Sequence, residues 1–393
     1  MESTIVRYTM IVERNFLPVG QGAFYCEHFH FDGMNKRINL VYDCGSSTGK
    51  SYVENQIKRE FALGEEIHAV FLSHLDTDHI NGLEFLLKRC VVKKIFFPLL
   101  TQQQRNCAIL CNLVDNSADS NQVNRFIENP YAYFDSLDIR VRPRLYQISQ
   151  YDEEEEYEFN GIDAQILPSG DNLANIILDS ELPNKVHSNW YLIPFNFKWA
   201  DRIKLLEQEL YNRLGRYVSN EQITHLWKNG TAYERWQIKD AYNALPGNLN
   251  TNAMTLFSGA MGYDIRQCAT TIQRRCVAYK CKRYCCYGGT KASGCLYMGD
   301  YEAAGRYKWM QLEHAYQLYW QYIGCIQVPH HGSSHNYNTK LSQTDAFFVI
   351  SAGSRNRWKH PHAGVIRDIL GRGKQLYLVT EKGNSKVSMI IHR

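Results

Sequence analysis

No stretch of this 393-residue chain approaches the roughly 18 to 20 consecutive apolar residues that a bilayer span needs, so no membrane span is expected. The opening residues, MESTIVRYTMIVERNF, lack the apolar stretch and cleavage site of a secretory signal and read as strand instead. The expectation is a cytoplasmic protein. Internal repeats and Pro/Gly-rich linkers are also missing, which argues against a solenoid or linker-joined domains and leaves one domain over residues 1–393. The twelve cysteines form no paired C-x-x-C knuckles. In a long chain without a secretory signal they are expected to stay reduced rather than build a disulfide framework. Acidic residues are absent between Asp264 and Asp300, a stretch that carries seven basic ones, whereas Asp152 to Glu156 form an acidic run.

With 44% hydrophobic and 21% charged residues the chain has the balance of a globular protein with a substantial core. In the first hundred residues, strand-like runs (IVRYTMIV, AFYCEHFHF, INLVYDCG, AVFLSH, KKIFFPLL) alternate with two helical patterns, SYVENQIKREFALG and INGLEFLLKRC. That is a sheet with helices laid against it. Residues 102–145 read as partly helical, 157–168 as a hairpin, and 198–248 as a helical insertion forming a lid or partner surface. From Asn252 strands return (AMTLFSG, GCLYMGD, CIQVPH, AFFVISAG, LYLVT, KVSMIIHR), with helices near 302–320 and 364–371. The two strand-rich ends predict two halves of one α/β sandwich.

The strongest chemical signal is AVFLSHLDTDHINGL, an apolar strand running into His74, Asp76, Asp78 and His79 and then into an amphipathic helix. Imidazole and carboxylate together suit a divalent ion, and a strand-to-helix turn can aim alternate side chains at one point. A plain helix cap would need one Asp, not two carboxylates alternating with two imidazoles. Asp300 in LYMGD and His330 in VPHHGS each follow another apolar strand, and Asp43 ends the strand of NLVYDCG. Taken singly, each of these also fits an ordinary hydrogen-bonded loop or turn residue.

Together these segments resemble the metallo-β-lactamase superfamily, in the branch similar to the nuclease domain of the bacterial DNA-uptake protein ComEC. VGQG near Gly20, VYDCG, SHLDTDHINGL, LYMGD, VPHHGS, HPHAGVIRDIL and VTEKG follow the branch's motifs in order. The chain departs from the branch at Ala23, where Asp is usual, and at Ala253, where Ser is usual. The superfamily's third-motif histidine finds one candidate, His187. The resemblance implies an αββα fold holding one or two divalent ions, zinc or manganese. His74 and Asp76 would hold one ion, Asp78, His79 and His330 the other, and Asp300 would bridge them. Asp43 would orient a ligand histidine, Asp78 would orient water, and His331 or His360 would donate to a phosphate or leaving oxygen.

Two ions so paired suit hydrolysis of a phosphodiester. Nucleic acid or a nucleotide is therefore the expected substrate; protein partners are not legible. Arg274, Arg275, Lys282 and Arg283, interleaved with tyrosines, and Arg355 and Arg357 beside Trp358 fit a polyanion, or a solvated basic loop. Cys268, Cys276, Cys281, Cys285, Cys286 and Cys295 share that region, as reduced thiols or a structural zinc. A non-phosphate ester, thioester or lactam, and a non-catalytic binding module, are the competing readings, since a fold does not fix a substrate.

Overall fold

The computed structural model describes residues 9–114, 119–151, 162–182, 188–197, 202–245, 253–261, 269–275, 284–289 and 291–392. Two sheets face each other. The larger has ten strands in the order Tyr284–Gly289, Ala269–Arg275, Val387–His392, Met10–Phe16, Phe24–Phe31, Ile38–Cys44, Ala69–Phe71, Lys94–Pro98, Arg144–Ile148 and Gln165–Leu167. The smaller has six: Trp190–Phe195, Thr255–Ala260, Gly294–Tyr297, Ile323–Gln327, Phe347–Ser351 and Leu376–Val379.

Strand alternation sorts the side chains into layers. Leu40, Tyr42, Phe71 and Phe96 of the larger sheet meet Leu256, Tyr297, Cys325 and Val349 of the smaller one in the core between the sheets. Their neighbours Val41, Val70, Ile95 and Phe97 point the other way, onto Val53 and Ile57 of helix Lys50–Glu60 and Leu86 of helix Leu83–Arg89. On the far side Leu296, Ile326, Phe348 and Ile350 pack under Leu312 of helix Arg306–Ala315 and Ile369 of helix Ala363–Gly371. The layers are helix, sheet, sheet, helix, the metallo-β-lactamase arrangement expected from the sequence. The parallel strands, covered on both faces, read as continuous apolar runs for that reason.

Helix Gln102–Val114 is buried on two sides. Ala108 and Ile109 face the sheet, while Cys107, Leu110, Cys111 and Val114 receive Leu206, Leu210, Ile223, Ile238 and Ala241 from helices Arg202–Leu214, Asn220–Asn229 and Ala232–Ala244. The last two helices start at capping boxes, Ser219 with Gln222 and Thr231 with Glu234, which satisfy orphan backbone donors. No helix among the described residues is long and apolar enough to cross a membrane.

The hairpin expected over 157–168 lies partly outside the described residues; within it the strand Gln165–Leu167 pairs in parallel with Arg144–Ile148 at the sheet edge. One local expectation changes. The basic segment is not a loop throughout: Ala269–Arg275 and Tyr284–Gly289 pair with each other, and the former pairs with Val387–His392, extending the larger sheet. The β-branched run Thr270, Thr271 and Ile272 favours that extended state over a loop.

Candidate metal centre

The sequence-predicted ligands cluster beyond the carboxyl ends of strands, with Asp78 and His79 in the short helix Thr77–Ile80. His74 follows Ala69–Phe71, Asp43 lies in Ile38–Cys44, Asp300 follows Gly294–Tyr297, and His330 and His331 follow Ile323–Gln327. Parallel strands Ile38–Cys44 and Ala69–Phe71 in one sheet, and Gly294–Tyr297 and Ile323–Gln327 in the other, put these ends on the same side of the sandwich. Such ends are where ligand sites form in α/β sheets.

Four imidazoles share one wiring. Ser73 Oγ donates to Asp43 Oδ2 at 2.7 Å, so it accepts from His74 Nδ1 at 2.8 Å. His79 Nδ1 donates to Asp43 Oδ2 at 2.8 Å, His331 Nδ1 to the Ser351 carbonyl at 2.9 Å, and His330 Nδ1 to Asn336 Oδ1 at 3.0 Å. In each case the hydrogen on Nδ1 leaves Nε2 to take a proton or a metal. The Nε2 atoms of His74, His79 and His331, together with Asp300 Oδ1, are buried without a hydrogen-bond partner. Buried polar atoms so left are costly unless something else meets them.

The spacings fit an ion. His74 Nε2 lies 3.6 Å from Asp76 Oδ2, His79 Nε2 lies 3.3 Å from Asp300 Oδ1, and His331 Nε2 lies 3.6 Å from Asp78 Oδ2. Two atoms held about 2.1 Å from one tetrahedral ion stand about 3.4 Å apart. Two triads are compact enough to share an ion: His74, His79 and Asp300, and Asp78, His79 and His331. Among the two adjacent histidines it is His331 that converges with Asp78 and His79, while His330 Nε2 reaches Asp300 Oδ2 at 3.6 Å. Backbone φ of 47° at His330 and 55° at His331, both left-handed, sends the two side chains to different sides. With Nδ1 given to the Ser351 carbonyl and Nε2 turned toward Asp78, His331 is also a ligand candidate.

The electrostatics favour positive charge. Burial opposes a proton on His79, but Asp300 and Asp43 outweigh it and raise its pKa well above the ordinary value. His331 is raised likewise, burial being overcome by Asp78 and Asp300. Burial opposes ionisation of Asp300, yet His330 and His79 hold it well below the ordinary carboxylate range. His74 is driven down to about 3 by burial and by His79, so it stays neutral with its ligating nitrogen available.

Several residues that hold the centre carry no motif signal. Asn112 on helix Gln102–Val114 takes the Thr77 amide and hydroxyl on Oδ1 and donates to the Leu75 carbonyl at 3.0 Å, fixing the ligand loop. Asn336 ties His330 to the Asp300 carbonyl. A single Asn in a helix or loop is too common a choice to be read from sequence alone.

Over the mouth runs the segment Ser354–His362. Its ends are pinned by Gly353 N donating to Gln21 Oε1 and His362 N donating to the Gly332 carbonyl. Arg355 and Arg357 are exposed there, with the Arg357 guanidinium 4.4 Å from the Trp358 ring centroid. His360 is half-buried, its ring 5.6 Å from His330, and burial together with His330 and His331 lowers its pKa to about 4. It is neutral near pH 7, so any proton it gives comes from the neutral ring. Arg274 and Arg275 lie on the strand paired with Val387–His392, at the sheet end shared with Phe16 and Tyr25 and hence with Cys44. Lys282, Arg283 and His187 lie outside the described residues.

Residues 35–144 match the family model described as the metallo-beta-lactamase superfamily. No curated protein matches the chain. Among solved structures, the crystal structure of unliganded yeast PDE1 aligns with 96% of this chain and 99% of its own, at 8% identity and a TM-score of 0.36.

Proposed function

Because residues 35–144 match the metallo-beta-lactamase superfamily, we propose that the chain is a metal-dependent phosphodiesterase acting on nucleic acid or a nucleotide. The observation that carries this reading is the convergence of buried, unpartnered ligand atoms from His74, His79, His331 and Asp300. The residues fit a divalent ion in chemistry and spacing: zinc or manganese would be held by Asp78, His79 and His331 on one side and by His74 and Asp76 on the other, with Asp300 between. A divalent ion bound there polarises a phosphoryl oxygen and acidifies water.

The chain's own groups do the rest. Asp43 and Ser73 hold the His74 and His79 rings in place, so little reorganisation is needed as charge develops. His360, neutral at the rim, can donate a hydrogen bond to a phosphate or leaving oxygen. Arg355 and Arg357, with no acid between Gly353 and Ile366, offer positive charge to a phosphate backbone, and Trp358 offers a face for a base. That cationic rim favours a phosphodiester over a lactam or thioester.

The experiment is turnover, with zinc or manganese added, of bis(p-nitrophenyl) phosphate, single-stranded DNA, RNA and cyclic nucleotides, beside a lactam and a thioester. Phosphodiester cleavage abolished by chelation is expected. Hydrolysis confined to the lactam or thioester overturns the substrate assignment, and a protein that stays metal-free overturns the enzyme.

A further inference from the structure

A cavity of about 530 Å³ lies beside helix Arg306–Ala315, a size within the roughly 300–1,000 Å³ of small-molecule sites. Its floor is the amino ends of three strands of the smaller sheet: Ala292 precedes Gly294–Tyr297, Ile323 opens Ile323–Gln327, and Asp345 precedes Phe347–Ser351. These strands run parallel, and Asp300 and His330 follow the carboxyl ends of the first two. Cavity and metal centre therefore sit at opposite ends of the sheet. We propose that the cavity is a second, non-catalytic site that binds a nucleotide, its base stacked against tryptophan and its phosphate drawn by a lysine.

Two indoles form the aromatic wall. The ring centroids of Trp309 and Trp320 lie 5.8 Å apart with 26° between the planes. Trp320 Nε1 donates to the Glu313 carbonyl at 3.3 Å, which holds this half-buried ring in place. Trp309 is 5% exposed, and its Nε1 hydrogen has no hydrogen-bond partner. Burying an N–H without an acceptor is costly, so the wall favours a ligand that brings one. A heteroaromatic base carries acceptor atoms at its edge and a π face that stacks on indole. Gln321, Gln343 and Thr344 line the rest of the cavity with amide and hydroxyl groups, which can donate to or accept from the edge of a base.

Charge selects the anion. Lys291 and Lys374 pair with Asp345 at the rim. Lys340 is exposed, and its Nζ lies over the Trp309 ring, 5.5 Å from the centroid. With Glu313 the only other carboxylate on the lining, the three lysines outnumber the acids. An organic cation seeking the indole faces would meet an ammonium already placed on one of them, whereas a phosphate attached to a stacked base gains from it. The side chain of Lys340 is long and exposed, so it can follow the phosphate without disturbing the fold.

This site stands apart from the metallohydrolase reading, and a chelator present throughout keeps the metal centre out of the measurement. AMP, adenosine and tetramethylammonium are titrated by calorimetry into the full chain as wild type, Trp320→Leu and Lys340→Ala, and indole N–H resonances are followed by NMR. Wild type is expected to bind one equivalent of AMP, more tightly than adenosine and far more tightly than tetramethylammonium. Trp320→Leu should bind AMP and adenosine more than about fivefold more weakly, through loss of stacking. Lys340→Ala should close most of the gap between AMP and adenosine. The indole resonance missing from Trp320→Leu should shift when AMP is added to wild type. Absence of AMP binding at millimolar concentration overturns the proposal, as does wild-type affinity in Trp320→Leu. Tetramethylammonium binding more tightly than AMP overturns it in favour of a cation site. Should Trp320→Leu not fold, Lys340→Ala, at an exposed position, decides: an unchanged gap between AMP and adenosine overturns the assignment.

Discussion

Asp43 Oδ2 stands 2.8 Å from His79 Nδ1, with both side chains almost wholly enclosed. The same oxygen accepts from Ser73 Oγ, and Asp43 Oδ1 accepts from the Ser73 amide, so one carboxylate sets the orientation of His79 directly and of His74 through Ser73. Asp43 itself is held at φ 54°, a conformation Asp tolerates better than most residues. Removing a group that orients a ligand histidine typically costs about 10- to 100-fold in metal affinity. Asp43→Ala is expected to weaken zinc binding by that much, measured by chelator competition, with Asp43→Asn in between because its amide oxygen can still accept. Wild-type affinity in Asp43→Ala would show that the carboxylate does not orient the centre.

Gly45 lies against the ligand loop. A Cβ at that position would stand 2.5 Å from the Asp78 carbonyl carbon and oxygen and from the His79 carbonyl carbon, all backbone. Backbone cannot swing aside as a side chain can, so Gly45→Ala has to push the Asp78–His79 turn outward. Overpacking of this kind costs about 1–3 kcal/mol. A lower melting temperature and weakened metal binding are expected together. Loss of stability with metal affinity unchanged would mean that the strain relaxes away from the turn.

The fold was legible where periodicity was strong. Runs such as INLVYDCG and AVFLSH became strands buried on both faces, with Tyr42 in the core between the sheets and Val41 under the helices. The candidate ligands were legible because imidazoles and carboxylates crowd six positions from His74 to His79. What could not be read was direction. Which of two adjacent histidines faces Asp78 depends on a pair of left-handed residues, and nothing in VPHHGS distinguishes His330 from His331 before the chain turns. Asn112 and Asn336 were missed because their value lies in what they touch across 35 or more residues of sequence or in a tight turn, not in their type. Ala269–Arg275 was read as loop because its basic residues masked a strand whose partner, Val387–His392, lies at the other end of the chain.

His68 gives the fold a pH dependence separate from the metal centre. It is buried, its Nδ1 accepts from the Asn39 amide at 3.1 Å, and burial and Lys93, against Glu181 and Glu66, lower its pKa to about 4. A histidine neutral in the folded chain and ordinary when unfolded contributes its stability above the unfolded value near 6.5. As pH falls from there toward about 4 the unfolded chain takes the proton first, and at most about 3 kcal/mol is lost. His68→Asn, whose amide oxygen can replace Nδ1 as acceptor, is expected to flatten urea-unfolding stability across that window. An acid limb as steep as wild type would assign the loss to other groups.

Asp300 faces both halves of the centre. Its Oδ1 faces His79 and its Oδ2 faces His74 and His330, and its carboxyl is kept ionised by the imidazoles around it. Asp300→Ala leaves every sheet contact in place, since the residue follows its strand and lies outside the core clusters. It removes the side chain proposed to join two ions at the separation of about 3.5–4 Å on which paired-metal hydrolysis depends. The folded variant is expected to lose spin-coupled manganese pairs by electron paramagnetic resonance and to lose phosphodiester turnover. Substrate affinity should fall much less, because Arg355 and Arg357 at the mouth still attract phosphate while transition-state stabilisation depends on the centre. Asp78→Ala should reduce turnover likewise, but through loss of the ion shared by His79 and His331, leaving a single uncoupled manganese signal. Circular dichroism establishes folding in both. A folded Asp300→Ala that keeps wild-type turnover under saturating metal would mean that the carboxylate joins nothing and that the two-ion reading of this centre is wrong.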